Sequence, residues 1–331
     1  MIAVLGGLAD VERDSNPHPH RRGPQPGAEA RAAYGPPAEI DGGAAGRGPP
    51  ATGVGRDSCR TGAQLRREPK HDFEDNLMAP EPPAIKSISE FLKELDQIGF
   101  ITARHSHVRV WFRGQPQFGL PLQPKVYRKE FPAHDEDQKL ELERHLAQDF
   151  RVEAAGRLNG RETAAELYFI QQHYGLPTRL LDWTHNPLAS LFFAVDKPDH
   201  DGEVFLMDAY QMKTDVPNFG VPTSRHRIAT QAIERIVYWR DESKFPSFTF
   251  PFRPDHFDIR IAYQHSCFTF HVPTKAIITE SENPTLKRFK IPMDAKDTIR
   301  RELSRLGIDE FRIYGDLESL AKRLKTAHNI R

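Results

Sequence analysis

The residues best able to do chemistry crowd into one stretch, Gln171-Gln172-His173-Tyr174-Gly175-Leu176-Pro177-Thr178-Arg179-Leu180-Leu181-Asp182-Trp183-Thr184-His185-Asn186-Pro187. His173 and His185 are imidazoles that can serve as acid, base or ligand donor near neutral pH. A structural hydrogen bond is the competing use for each. A core element would not tolerate His173, Arg179, Asp182, His185 and Asn186 without partners. A surface loop would not need Leu180, Leu181 and Trp183. A segment with both characters, running straight into an apolar stretch, is expected to form the wall of a polar pocket from His173 to Asn186. Within it, Arg179 and Asp182 are expected to pair with each other and hold the loop, since a buried arginine usually needs a carboxylate.

A second group lies upstream at Arg113-Gly114-Gln115. An arginine at a strand end can fork onto a phosphate or carboxylate, and the glycine beside it would let a ligand approach the backbone. A structural salt bridge is the alternative for Arg113. Downstream, Gln264 is placed to read a ligand amide or ribose. Cys267 follows at the start of an alternating apolar strand, where a buried, inert thiol is the expected state. No carboxylate sits at a metal-ligand spacing beside the histidines, so no metal is expected. Walker, dinucleotide and Gly-x-Ser-x-Gly patterns are absent from the sequence.

These groups need elements to hold them. Ser87 and Glu90 have capping-box spacing ahead of the stripe Ile88, Phe91, Leu92 and Leu95, and Gly99 is the expected stop. Alternation predicts a strand over 108–112 that ends at Gly114. Helices are predicted over 136–157, with Leu142, Leu146 and Phe150 on one face, and over 162–174, stopped by Gly175. Asn186-Pro187 is a helix start with Asn as N-cap, and the apolar run 188–195 should be buried. Strands are expected over 203–207, 267–272, 276–279 and 288–291, with 311–314 as one more. Helices are expected over 294–306 and along Leu317, Leu320, Ala321 and Leu324. With no internal repeat and no regular strand–helix alternation, the fold class is α+β: a single compact mixed domain of short strands and flanking helices.

Composition bounds the rest. The 331 residues carry 46 basic and 46 acidic side chains, which argues against general nucleic-acid binding. Cys59 and Cys267 are too far apart in character for a disulfide framework, and a reducing cytoplasm is the simplest setting. The longest strongly apolar run, 188–195, is too short to cross a bilayer, and 2–9 lacks the basic start of a signal peptide. Residues 1–77 are rich in Gly, Pro, Ala and Arg and are expected to be a disordered tail. Met78 is a candidate initiation point, in which case that tail would not be translated. Residues 78–86 read as a linker, 87–325 as the folded domain and 326–331 as a C-terminal tail.

Taken together, Trp111-Phe112-Arg113-Gly114-Gln115, Leu122-Gln123-Pro124 with Tyr127-Arg128, and Gln172 through Thr184 with Asn186-Pro187-Leu188 resemble the FRG domain family. Arg260 with Gln264 and Phe268, and Gly307-Ile308 with Asp316-Leu317, extend the likeness over 87–325. Tyr314-Gly315 stands where family members usually carry Phe-Pro. The family is found mainly in bacteria and phages, and the resemblance implies no established reaction. A more distant likeness is to ADP-ribosyltransferases of the Arg-Ser-Glu type. Arg113-Gly114, and Thr184 followed by Phe193-Ala194, resemble their first two motifs, which implies NAD as a ligand. Such enzymes also need a glutamate to stabilise the oxocarbenium-like ribose. Gln264 stands at the third position without a charge, and Glu280 and Glu282 are nearby carboxylates.

The expected function is thus a polar pocket for an anionic, nucleotide-like ligand. Arg113, Gly114, Gln115, Thr184 and Asn186 would contact the ligand, and His173, His185 and Gln264 would be the catalytic candidates. A nucleotide- or NAD-processing effector in toxin or anti-phage defence is one reading. A non-catalytic ligand sensor or interaction domain is the other.

Overall fold

Short runs of β-branched and aromatic residues, punctuated by capped helices, build one antiparallel sheet with helices on one face. The computed structural model describes residues 81–99, 101, 106–133, 135–214, 220–241, 248–255, 259–272 and 277–330. The stretch 1–77, read as a tail, lies outside the described residues.

In chain order, helix α1 (Ile88–Asp96) and the single turn α2 (Ser106–Arg109) precede strand β1 (Val110–Gln115). Then come α3 (Glu136–Glu153), α4 (Ala164–His173), β2 (Leu180–Thr184), α5 (Pro187–Ala194) and β3 (Gly202–Asp208). The rest comprises α6 (Arg227–Ile233), continued by a π-helical turn over Glu234–Tyr238, β4 (Phe250–Phe252), α7 (Ile259–Tyr263), β5 (Ser266–Phe270) and β6 (Lys287–Ile291). Helices α8 (Lys296–Arg305), α9 (Glu310–Tyr314) and α10 (Leu317–Ala327) close the chain. The sheet order is β4-β5-β2-β1-β3-β6, every neighbouring pair antiparallel. This is the expected α+β architecture.

Local chemistry explains the element ends. Ser87 accepts from Glu90 N, and Thr163 and Glu166 form a reciprocal capping box at α4. Gly175, at φ 87°, closes α4 in a Schellman motif, with Leu176 N donating to Gln171 O and Gly175 N to Gln172 O. Gly307, at φ 76°, does the same for α8. Helix α1 ends at the cap Gln97, short of Gly99. Residues 311–314, expected as a strand, are helical because Asp309 caps their first turn through Arg312 N. Residues 277–279 form no strand.

Strand alternation sorts the core into faces. On one face Val110, Phe112, Val204, Leu206, Phe289 and Ile291 pack against α1, α5 and α8. Leu180, Phe268 and Phe270 continue that side under α4, α6 and the π-helical turn. Trp111, Leu181, Trp183, Phe205, Met207 and Cys267 turn to the other face, beneath loops that supply Leu122, Met212, Ile278 and Leu286. Burying a side chain of this size contributes about 1.5–3 kcal/mol.

Gly114 has a different purpose from the one expected. A Cβ there would lie 1.8 Å from Ser190 O, and one at Gly202 would lie 2.2 Å from Ala194 O. The space beside Gly114 is filled by the backbone of α5, so this glycine seats a helix and does not admit a ligand. Gly114→Ala should therefore lower the melting temperature markedly, since overpacking a rigid contact costs about 1–3 kcal/mol. Gly99→Ala, with nothing within 4 Å of the added methyl, should not. Equal melting of the two variants in a calorimetric scan would contradict the packing argument.

Candidate functional site

Arg113 is the first of the expected site residues to place. It lies on the same side of β1 as Trp111 and Gln115 and retains 13% side-chain exposure. Its Nη1 donates to the Asp182 carbonyl at 2.7 Å, and its Nε makes a long bond to Gln115 Oε1 at 3.4 Å. The nearest carboxylate, Asp182, stands 3.9 Å away and is itself 57% exposed. Nη2 and the second hydrogen of Nη1 meet no acceptor among the described residues. Burial pulls the guanidinium down to about 10; the Asp182 and Glu203 carboxylates work against that pull, and the charge of Arg128 adds to it. Arg128 is fixed by its own Nε bond to Gln123 O at 3.1 Å.

The neighbours hold Arg113 in place. Gln115 is 3% exposed and donates from Nε2 to Leu120 O at 2.9 Å and to Glu203 Oε1 at 3.1 Å. Its amide is spent on orienting Arg113 and the turn after β1. Glu203 is fully buried, accepts from Gly119 N at 3.1 Å, and burial pushes its carboxyl above the ordinary range. Gln172 donates to Asp182 Oδ2 at 2.9 Å and accepts from Thr178 Oγ1 at 2.5 Å.

The expected pairing of Arg179 with Asp182 does not form. Arg179 instead joins Glu143 of α3, with Nη2 to Oε2 at 2.6 Å and both side chains 1% exposed. Tyr168 donates to Glu143 as well, and its oxygen accepts from Arg179 N at 2.8 Å. The reason is geometric: residues three apart in extended chain point to opposite sides. Burial works against the Arg179 charge, but Glu143 together with Tyr127 and Tyr168 raises its pKa well above the usual arginine value.

Thr184 and Asn186, expected as ligand contacts, are occupied. Thr184 Oγ1 donates to Gln264 O at 2.5 Å and accepts from Asn186 N at 2.9 Å. Asn186 Oδ1 caps α5 through Leu188 N at 2.9 Å and Ala189 N at 3.4 Å. Of the catalytic candidates, His185 and Gln264 come together at the β2–β5 corner: His185 N donates to His265 O at 3.1 Å. His265 adopts φ 47°, a left-handed turn that passes the chain from α7 into β5. His173 sits at the end of α4 with its ring edge-on to Tyr174 at 4.8 Å. Cys267 is fully buried, and burial pushes its thiol well above the ordinary range, as an inert thiol requires. Among the described residues, no group of three or more His, Cys, Asp or Glu is placed to hold a metal, and no helix is long and apolar enough to cross a membrane.

Glu143, Glu203 and Arg128 were not picked out from the sequence as functional. Glu143 left a trace there: α3 buries Leu140, Glu143 and Ala147, at spacings of three and four, where Leu142, Leu146 and Phe150 were expected to form the inner face. A glutamate inside a buried stripe signals a partner. Removing Arg179 alone (Arg179→Met) strands Glu143 and should cost about 3–5 kcal/mol, with Glu143→Leu comparable. The double variant should lose less than the sum of the singles in urea unfolding. Strict additivity would show that the pair is not coupled.

No curated protein and no solved structure matches the chain. The family model of the FRG domain matches residues 108–203, from the turn before β1 to the start of β3. Arg113, the Glu143–Arg179 pair, β2 and α5 fall within that match, whereas Gln264 lies outside it. Over residues 108–203 the chain is thus similar to the FRG domain.

Proposed function

We propose that the domain binds an anionic, nucleotide-sized ligand whose phosphate or carboxylate is gripped by Arg113. One observation carries the reading: a guanidinium largely removed from water, with donors to spare and no carboxylate within hydrogen-bond distance. A structural arginine in such a position would be paired, as Arg179 is. An anion arriving from solvent would supply the missing charge and take two parallel N–H bonds. NAD, which the transferase likeness implies, is one ligand with the required phosphates.

Processing of that ligand is a second reading. Its support is Glu203, a buried carboxyl tied to Arg113 through Gln115 and held above its ordinary pKa by burial, as acid–base groups often are. A role as a cytoplasmic effector in toxin or anti-phage defence rests on the family resemblance and not on geometry. A ligand sensor would use the same grip without turnover.

Calorimetric titration with inorganic pyrophosphate tests the binding reading. The full chain should bind it, and Arg113→Lys should lose about tenfold or more in affinity, because an ammonium lacks the fork. Arg113→Met should lose binding altogether yet melt at or above the parent temperature, since it removes a poorly paired buried charge. A variant that loses stability and binding in parallel would make Arg113 structural.

A further inference from the structure

Trp239 is 72% exposed, whereas Trp111 and Trp183 are buried. It closes the π-helical turn that follows α6. Its backbone N–H donates to Glu234 O at 3.2 Å, a bond between residues five apart. That bond decides where the indole goes. At 3.6 residues per turn, five residues would swing Trp239 about 140° away from Glu234. The wider turn sets Trp239 above Glu234 instead, on the face that already carries Gln231, Glu234 and Arg235. The chain then doubles back. Asp241 N donates to Arg235 O at 2.8 Å across Arg240, whose φ of 54° is left-handed. Such a conformation is strained for a residue with a side chain. It is held because the Arg240 guanidinium pairs with Asp137 at 3.1 Å and Glu141 at 3.2 Å, both on α3.

Between these groups lies a cleft of about 450 Å³, lined by Gln231, Glu234, Arg235, Trp239 and Asp241. That volume falls among small-molecule sites. Among the described residues, the side chains of Gln231, Glu234 and Arg235 meet no hydrogen-bond or ion-pair partner. The cleft thus offers one flat apolar face, two carboxylate acceptors, a guanidinium that only donates and an amide that does both. Two acids against one base repel a phosphate. A quaternary ammonium would suit the indole and the carboxylates but would face a like charge on Arg235. A neutral ring bearing hydroxyls suits every group at once. Its C–H face lies on the indole, and each hydroxyl both donates and accepts. We propose that the cleft binds a gluco-configured saccharide, stacked on Trp239 with its hydroxyls shared among Gln231, Glu234, Arg235 and Asp241. The gluco configuration follows from the single platform, because equatorial hydroxyls leave the ring faces to C–H bonds. This site is separate from the anion reading of Arg113 and does not rest on it.

The test is acrylamide quenching of tryptophan emission in the full chain. Of the 3 tryptophans, Trp239 alone is open to the quencher. Cellobiose should protect it. Mannitol, which has hydroxyls but no ring face, should not, and neither should choline. In calorimetric titration Trp239→Ala should lose cellobiose binding yet melt with the parent, since the side chain stands mostly in water. Glu234→Gln should weaken binding about tenfold, because a charged acceptor holds a hydroxyl more tightly than a neutral one. Protection by choline and not by cellobiose would make the cleft a cation site and overturn the proposal. Equal protection by mannitol, or protection by none of the three, would overturn it as well. So would cellobiose binding that survives Trp239→Ala.

Discussion

The buried ion pair between Glu143 and Arg179 is the interaction on which the rest of the site depends. It joins α3 to the residue just before β2, and Tyr168 ties α4 into the same knot. A charge taken out of water is expensive unless its partner is close and its remaining hydrogen bonds are met. Here Glu143 accepts from Arg179 Nε, Nη2 and backbone N, so the requirement is satisfied in only one arrangement of the three elements. That arrangement sets the start of β2, and β2 in turn presents the Asp182 carbonyl to Arg113.

Arg113 and Arg179 therefore differ in kind. Arg179 has a carboxylate in full contact and serves the fold. Arg113 has a carbonyl, a long amide contact and a carboxylate set back at 3.9 Å. Its desolvation is offset only in part, which is the state expected of a group preorganised for something that arrives later. Helix α5, pressed against β1 and β3 through Gly114 and Gly202, fixes the opposite face of the sheet, so the site is held from both sides.

Much of this was legible in the sequence where the cause is local. The caps at Ser87 and Asn186, the stop at Gly175 and the alternation expected over 267–272, which forms a strand over Ser266–Phe270, all act within a few residues. What depends on distant partners was not. Leu180–Thr184 read as a pocket wall because Arg179 and Asp182 look like loop residues; it is a strand because β1 and β5 lie on either side of it. Arg179 seemed to belong to Asp182, since Glu143, 36 residues upstream, has no local signature beyond its place in a buried stripe. Gly114 was identified as a point of close approach, but sequence spacing does not say whether a ligand or a helix approaches.

The titration of Arg113 itself tests the central claim most directly. Its guanidinium resonance, followed from neutral to alkaline pH in the free protein, should show the proton leaving at lower pH than that of the fully paired Arg179. Saturating pyrophosphate should move that transition upward, because a bound anion favours the charged form. An Arg113 that stays protonated to the usual arginine range in the free protein, with no response to the anion, would contradict the account.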